Sequence, residues 1–565
     1  MSQKFWIRRT VCAGLGLLLL PLAVRAADGS KHLNVQETAR PDYLPAKPSD
    51  SFQLPPVEPP ADAFPLAGDA AKAKVDRVTF RGNTVFSSSE LEAVAAPYVG
   101  RIISASELEE LRQLLTRHYI DRGYVNSGVL LANDTAADVV VFEVIEGRLT
   151  GIRLRGMERL DENYVIRRLT RDSDGPLNID VVRERYQLLL NDPLFQRMNA
   201  RLMPDAKLGE AVLDVDVTRA RPYQLTASVN NHRPPSIGSE QYGLSGWVRN
   251  LTGQGDMLEA SIYIPSQEKS GSNGSLAWHI PISYYGTKFS VALNQGRSSV
   301  VEEPMRILNI KSTIDSRDVG LSQTLIETLT QNLTFGLNRI SRENRTWLLG
   351  VPFSFSPGES SGITKEALWR FWQEYTHRSD VQVLALRSTF TNGKNNLHDI
   401  AGLPATNIPQ QKYRTWVGQA QYAHHVLENG AQVIFRGTLQ RTRNRLSSLD
   451  GMSVGGVDTV RGYRENQLVR DNGETFSAEF EYPLTRNSPN GLNVAIVPFY
   501  DHGRGQNTGD VAATLSSWGL ASRARWQGFN LDIAIAKRLV FPAAIVGNGA
   551  ALQDRGIHFN FSYTY

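Results

Sequence analysis

Along the last nine residues, Ile557, Phe559, Phe561, Tyr563 and Tyr565 alternate with His558, Asn560, Ser562 and Thr564. A period of two with one apolar face predicts a strand whose neighbouring side chains point to opposite sides. Phe529 to Lys537 behaves the same way, with Phe529, Leu531, Ile533 and Ile535 against Asn530, Asp532, Ala534 and Ala536, and so does Phe476 to Tyr482. Sixteen such segments follow Pro222. Spread over residues 221–565 they leave ~22 residues per strand with its share of turns, as tilted ~10-residue membrane spans joined by alternately short and long connections require. A soluble sandwich needs far fewer strands. The expectation is a sixteen-stranded antiparallel transmembrane β-barrel.

Ahead of Pro222 the period changes. Val75 to Phe80 alternates as a strand and turns at Gly82-Asn83. Ser87 to Ala95 and Ser104 to Arg122 read as helices. The second has Ser104 as its N-cap, an acidic first turn, and Leu108, Leu111, Leu115 and Tyr119 at helical spacing. Tyr124 to Leu131 and Val139 to Ile145 complete a small sheet. The order then recurs: Gly151 to Arg155 as strand, Asp161 to Thr170 and Ile179 to Leu190 as helices, Asn199 to Met203 and Val212 to Thr218 as strands. This is an internal repeat of a β-α-α-β-β unit, with boundaries at 74–147 and 148–220.

The N-terminus is of another kind. Lys4, Arg8 and Arg9 precede an apolar stretch from Val11 to Val24, and Val24-Arg25-Ala26 offers a cleavage site, so residues 1–26 read as a secretory signal. The stretch is short for a bilayer span and carries Pro21. Ser30 to Thr38 makes at most a short helix. Arg40 to Ala67 is dominated by proline and reads as an extended linker within residues 27–73. Composition now changes meaning. The sole cysteine, Cys12, lies in the leader, so the mature chain has no thiol for disulfides, nucleophilic catalysis or metal ligation. Removing Lys4, Arg8, Arg9 and Arg25 with no acid takes the formal charge from +4 to 0, which leaves no electrostatic argument for nucleic acid. No later segment has the apolar run of a membrane helix. Yet 19 Tyr, 21 Phe, 9 Trp and 46 Gly suit a β-rich chain, and the mean hydropathy of -0.29 is what alternating lipid-facing and lumen-facing residues average to.

Candidate chemistry is sparse. Gly358-Glu359-Ser360-Ser361-Gly362 matches the G-x-S-x-G elbow of serine hydrolases, but it lies in a polar loop followed by an alternating strand instead of a helix. No Walker loop, dinucleotide fingerprint or His-Glu-x-x-His occurs, so neither cofactor nor metal is expected, and His424-His425 reads as adjacent strand residues facing opposite ways. Between Arg441 and Thr475 runs a polar loop too long to be a simple connection. It holds Gly455-Gly456-Val457-Asp458-Thr459-Val460-Arg461-Gly462-Tyr463, whose glycines permit close approach to a wall. Forty residues beyond Arg461, Phe499-Tyr500-Asp501-His502-Gly503 ends another alternating strand, with Asp501 on the face of Ala495 and Val497. A charge is costly on the lipid face, which places that side toward the lumen.

The Val460-Arg461-Gly462-Tyr463 loop and the Phe499 to Gly503 strand resemble the signature pair of the outer-membrane insertase and exporter superfamily. There the loop folds into the barrel and its tip meets an acidic residue on the inner wall, which implies that Arg461 pairs with Asp501. Arg81-Gly82-Asn83-Thr84-Val85-Phe86 and Asp121-Arg122-Gly123-Tyr124 are similar to that superfamily's periplasmic POTRA modules, and Asn250-Leu251-Thr252-Gly253-Gln254-Gly255-Asp256 to a family turn. The terminal Phe559, Phe561, Tyr563 and Tyr565 resemble the sorting strand read by the barrel assembly machinery, with Tyr565 where Phe or Trp is usual.

The chain as a whole resembles the two-partner secretion transporters of the haemolysin-activator and filamentous-haemagglutinin-exporter type. Two modules argue against the insertases that build other barrels. Relatives carry a plugging N-terminal helix, beside which Ala27 to Arg40 is short and polar. The resemblance implies an outer-membrane protein of a Gram-negative cell, seated in lipid with its POTRA domains in the periplasm. It would secrete, and thereby activate, one large β-rich exoprotein such as a haemolysin or adhesin, without catalysis. The competing readings are a general porin or solute-uptake channel, which needs no periplasmic modules, and a surface hydrolase resting on Ser360.

Overall fold

The computed structural model describes residues 52–53, 72–132, 139–171, 175–398, 408–485, 488, 490–541 and 549–565. The expected leader and the short helix expected at most over 30–38 lie outside them. The chain divides into two compact units, one of residues Lys47–Pro222 and one that includes Tyr223–Tyr565.

Within the first unit, helices Ser88–Ala95 and Ala105–Ile120 pack on a sheet in which Arg77–Arg81 runs parallel to Val139–Ile145 and Gly128–Leu131 antiparallel to it. The longer helix opens on a reciprocal capping box, the Ser104 hydroxyl accepting from the Glu107 N–H and the Glu107 carboxylate from the Ser104 N–H. Leu111, Leu115 and Tyr119 on its inner stripe are buried with Leu91, Val129 and Phe142, each worth about 2 kcal/mol of transfer free energy. The strand expected over Val75 to Phe80 breaks at Asp76. Its first part, Lys72–Val75, pairs with Arg101–Ser104, a strand too short for its alternation to register.

The two peptide motifs of this module converge. Gly82 turns at φ +83°, where a Cβ would stand 2.5 Å from the Val144 carbonyl oxygen. The next residues then present the Thr84 and Val85 N–H groups to Glu146 Oε1 at 2.7 and 2.8 Å, and the Tyr119 hydroxyl reaches the same oxygen at 3.1 Å. Burial, with Glu146 beside it, pushes the Tyr119 phenol well above its ordinary pKa. Phe86 packs edge-on to Tyr119 and Tyr124.

The second module repeats the order, with strand Arg148–Arg155, helices Glu162–Leu169 and Ile179–Leu190, and strands Phe195–Pro204 and Glu210–Arg219. It is joined to the first by Leu177 N–H to the Gly147 carbonyl (2.6 Å), Ile179 N–H to that of Gly123 (2.8 Å) and Asn126 Nδ2 to that of Gly209 (2.8 Å). One expectation fails here. The proline-rich stretch is not wholly outside the sheets, because Phe52–Gln53 pairs in parallel with Ala200 and Arg201 on the edge strand Phe195–Pro204. Those two residues lie between Pro48 and Pro55, where the backbone still has N–H groups to donate.

In the second unit sixteen wall strands, each antiparallel to the next, close into a barrel, and the two-residue strand Val351–Pro352 only extends one connection. The seam joins Tyr223–Asn230 to Ile557–Thr564 from Thr226 opposite Thr564 to Asn230 opposite Asn560. Closure leaves no free edge, which a barrel in lipid requires. Side chains alternate as the pattern predicts. On the last strand His558 and Ser562 are buried inside while Phe561 and Tyr563 are 43% and 39% exposed outside. His424 and His425 stand on successive positions of strand Lys412–His425.

The chain enters the barrel at Tyr223, so successive connections alternate between that near end and the far end. The near-end turn Asn250–Asp256 is built by its own side chains. Asp256 Oδ1 accepts from the Thr252 N–H and hydroxyl (2.9 and 2.7 Å), Asp256 Oδ2 from Trp278 Nε1 (2.8 Å), and Asn250 Oδ1 from the Gly255 N–H (3.0 Å). At the far end, Gly358–Gly362 is likewise a self-capped turn. Glu359 accepts from the Ser361 N–H (2.7 Å) and the Ile363 N–H (3.0 Å), Ser360 is exposed, and the chain runs straight into strand Ile363–Arg378. That is not the strand-turn-helix a nucleophile elbow demands.

Candidate functional site: the folded-in loop

Residues 442–471 connect strands Gln432–Arg441 and Asn472–Pro483 at the far end, and they turn back into the lumen. The stretch expected as one polar loop has structure of its own. Met452–Val454 pairs with Leu468–Arg470 as a hairpin, and the following wall strand begins at Asn472, before Thr475. Met452, Val454, Val460, Tyr463 and Leu468 form an apolar cluster with Leu515 of the wall, which explains why a polar-looking loop packs against the barrel.

The tip carries the charge. Arg461 Nε and Nη2 each lie 2.7 Å from one oxygen of Asp501, and the Arg461 N–H adds a third bond at 3.0 Å. This is the parallel fork that makes arginine-carboxylate pairs short and directional. Asp501 is fully buried and Arg461 is 6% exposed. The guanidinium also lies over the ring of Phe499, 3.5 Å from its centroid. Of the residues singled out in the sequence, Arg461, Phe499 and Asp501 thus meet at one point.

Their neighbours fix the backbone. At Gly462 (φ +90°) a Cβ would come within 2.8 Å of Ala536, while its N–H donates to His558 Nε2 at 2.9 Å. Tyr463 is buried and its hydroxyl donates to the Ser516 carbonyl at 2.8 Å. Gly503 lies directly beneath the loop, where a methyl group would stand 2.4 Å from Val454 Cγ1 and 2.7 Å from Val460 Cγ2. Phe559, Phe561, Tyr563 and Tyr565 do not join this site. They belong to the outer face, and Tyr223 stacks on Tyr565 at 6.5 Å.

Several members of the site are not evident from the peptide motif. Glu479 Oε1 takes a bond from Arg461 Nη1 at 2.7 Å, and the same carboxylate faces Arg436 at 3.0 Å and Arg523 at 2.8 Å. The site is therefore a network of three arginines on two carboxylates, extended by Glu481 beside Arg523. The alternation of Phe476 to Tyr482 contained the signal, because Ser477, Glu479 and Glu481 occupy the face opposite Phe476, Ala478 and Phe480. Arg464 forms a second knot. It reaches both oxygens of Glu302 (2.9 and 2.8 Å) and both of Asp554 (2.6 and 2.7 Å), tying the loop to the far-end connections at 300–310 and 539–556. Chemically the arrangement holds a loop in place. Among the described residues no group of three His, Cys, Asp or Glu side chains is disposed to hold a metal.

Comparison with known proteins gives the same picture. Residues 209–525 match the family model described as haemolysin secretion/activation protein ShlB/FhaC/HecB, and residues 73–147 match the ShlB-type POTRA domain. The heme/hemopexin transporter protein HuxB of Haemophilus influenzae strain 86-028NP is 23% identical over 438 residues, covering 75% of this chain and 74% of the relative. The outer membrane transporter CdiB of Dickeya dadantii is 20% identical over 487 residues, covering 82% and 83%. Among solved structures, CdiB from Escherichia coli superposes with a TM-score of 0.67 at 19% identity, over 90% of this chain and 93% of that one.

Proposed function

Because this chain belongs to the haemolysin secretion/activation family, we propose that its modules capture a β-rich exoprotein in the periplasm and its barrel passes that chain, unfolded, to the cell surface. The protein is an outer-membrane transporter that secretes a partner exoprotein, with a POTRA domain ahead of the barrel. In our reading residues 148–220 are a second POTRA domain. An unfolded cargo segment adds a strand to a module edge, where main-chain hydrogen bonds supply affinity with little demand on sequence. Folding of the cargo outside supplies the driving force and is the activating step, without catalysis by the transporter. The Phe559 to Tyr565 strand is what the barrel assembly machinery reads for insertion.

The observation that carries this reading is the loop anchored in the lumen by Arg461 on Asp501 and Glu479. A permanently open solute channel has no use for a charged knot across its bore, whereas an exporter needs a plug that stays shut until cargo engages. The test co-expresses a repetitive exoprotein of the same genome with the intact chain or a form lacking residues 74–147. Export is expected from the intact chain alone, with both barrels inserted and heat-modifiable on gels. Equal export by the truncated form would place recognition outside the first module.

A further inference from the structure

The outer wall of the barrel is not electrically uniform. On the strands from Thr287–Ser299 to Lys412–His425, the outward set changes from apolar to basic on passing toward the far end. Val319, Leu321, Leu337, Phe371 and Phe390 are outward and between 41% and 50% exposed. Register sets these in neighbouring rows, Leu321 opposite Leu337, Leu337 opposite Phe371, and Phe371 opposite Phe390. One and two positions further out on the same face stand Arg339 opposite Val319, Arg317 opposite Ser341, Lys394 opposite Ala367, and Lys412 opposite Lys394. Arg297 and Arg414 extend the field on either side, and all six side chains are exposed.

Little neutralises these cations. The far half of the same outward face holds two acids, Asp315 and Glu343. Glu343 is taken up by Arg345 at 2.6 Å and Lys365 at 3.6 Å, and Asp315 accepts from Gln295 Nε2 at 2.9 Å. Among the described residues Arg297, Arg317, Lys394, Lys412 and Arg414 make no ion pair, and Arg339 only lies over Trp369 at 5.2 Å. The opposite flank differs. The outward residues of Tyr223–Asn230, Gln241–Arg249 and Met257–Pro265, such as Leu225, Val229, Leu244 and Ile262, include no charge. Side chains that merely stretch toward water at a membrane boundary would ring the barrel evenly. Here they cluster on one flank, whereas elsewhere in the far half of the outward face Arg504 and Lys537 stand singly and Arg441 is paired with Glu474 at 2.8 Å.

We propose that this flank is a binding surface for a phosphate-bearing lipid of the outer leaflet, acyl chains lying on the Leu321, Leu337 and Phe390 rows and headgroup phosphates on Arg317, Arg339 and Lys394. The periplasmic modules precede Tyr223, so the far end faces outward and the basic rows stand at the outer headgroup level. An amphiphile with clustered phosphates matches both halves of the surface, since clustered Lys and Arg beside an apolar band recognise anionic headgroups. The guanidinium groups can each take two phosphate oxygens.

The test titrates the purified full chain in uncharged detergent with diphosphorylated lipid A, its dephosphorylated form, and inorganic phosphate, reading bound lipid by native mass and stability by thermal unfolding. The intact chain should bind the diphosphorylated lipid and gain stability. Arg317→Gln/Arg339→Gln/Lys394→Gln should bind it on the order of a hundredfold more weakly while keeping its heat-modifiable mobility. Should the triple variant fail to assemble, Arg317→Gln and Arg339→Gln are titrated singly, each expected to weaken binding about fivefold. Undiminished binding by the variants, equal binding of the dephosphorylated lipid, or an equal response to inorganic phosphate would overturn the proposal. A far-end surface that instead retains an acidic protein in preference to the lipid would do so too.

Discussion

Arg461 and Asp501 meet through two parallel 2.7 Å bonds from the guanidinium and a third from the Arg461 N–H, inside a closed barrel. Removing one partner of a buried pair leaves the other charge uncompensated, at a cost on the order of 3–5 kcal/mol. Arg461→Ala and Asp501→Ala should each impair secretion and change single-channel conductance with barrel assembly intact, because the wall is held by its own ladder of backbone bonds. The two losses should be strongly non-additive. The variants are not equivalent, however. Arg461 keeps Glu479 when Asp501 is lost, so Asp501→Ala should be the milder. Additive effects in the double variant would separate the two residues functionally.

Gly503→Ala should dislodge the loop by crowding alone. The added methyl meets Val454 and Val460 at 2.4 and 2.7 Å, whereas at Gly437 the nearest atom is 3.7 Å away. Protease accessibility of residues 442–471 should rise in Gly503→Ala and stay unchanged in Gly437→Ala. The same accessibility in both would remove the packing argument.

Arg464→Ala should unfasten three far-end connections at once. In planar bilayers it should raise open probability more than Glu302→Gln does, since Asp554 still holds Arg464 in the latter. Equal, unaltered traces would show that the knot bears on no gate.

In the first module, Glu146→Ala removes the acceptor shared by Thr84, Val85 and Tyr119. The Tyr119 hydroxyl, on a fully buried side chain, costs about 1–3 kcal/mol when left unpaired, while the more exposed Thr84 and Val85 N–H groups can turn to water, so the module should melt several degrees earlier. Secretion should fall while membrane insertion persists, and a normal melting profile would contradict the account.

Ser360→Ala should leave secretion and surface level unchanged, because the exposed serine caps nothing in a turn that Glu359 holds. Lost activity at normal surface level would revive a hydrolase.

The wall is largely legible because period-two alternation survives in any strand with lipid on one side and lumen on the other. The alternation of Phe529 to Lys537 ends within one residue of the strand Phe529–Arg538. What escapes is written at shorter range or in the third dimension. Arg101–Ser104 and Met452–Val454 are too brief to show a period. Phe52–Gln53 is hidden among prolines and gains its strand geometry from a partner far along the chain. Arg461 stands out because glycines flank a charge, whereas Glu479 sits in an ordinary strand and becomes special only when closure brings three arginines to it.

The seam between Asn230 and Asn560 sets an order of events. Thr226 and Thr564, which share a hydroxyl contact of 3.1 Å, are separated by 338 positions, so the pairing that shuts the cylinder must await every wall strand between them. Bringing such distant segments together is entropically slow, and until then both terminal wall strands offer unpaired edges. Biogenesis is thus committed at its last step. A chain that stops anywhere before Ile557 lacks the strand that closes the wall, so what it leaves is an edge open to pairing with other extended segments instead of a smaller pore.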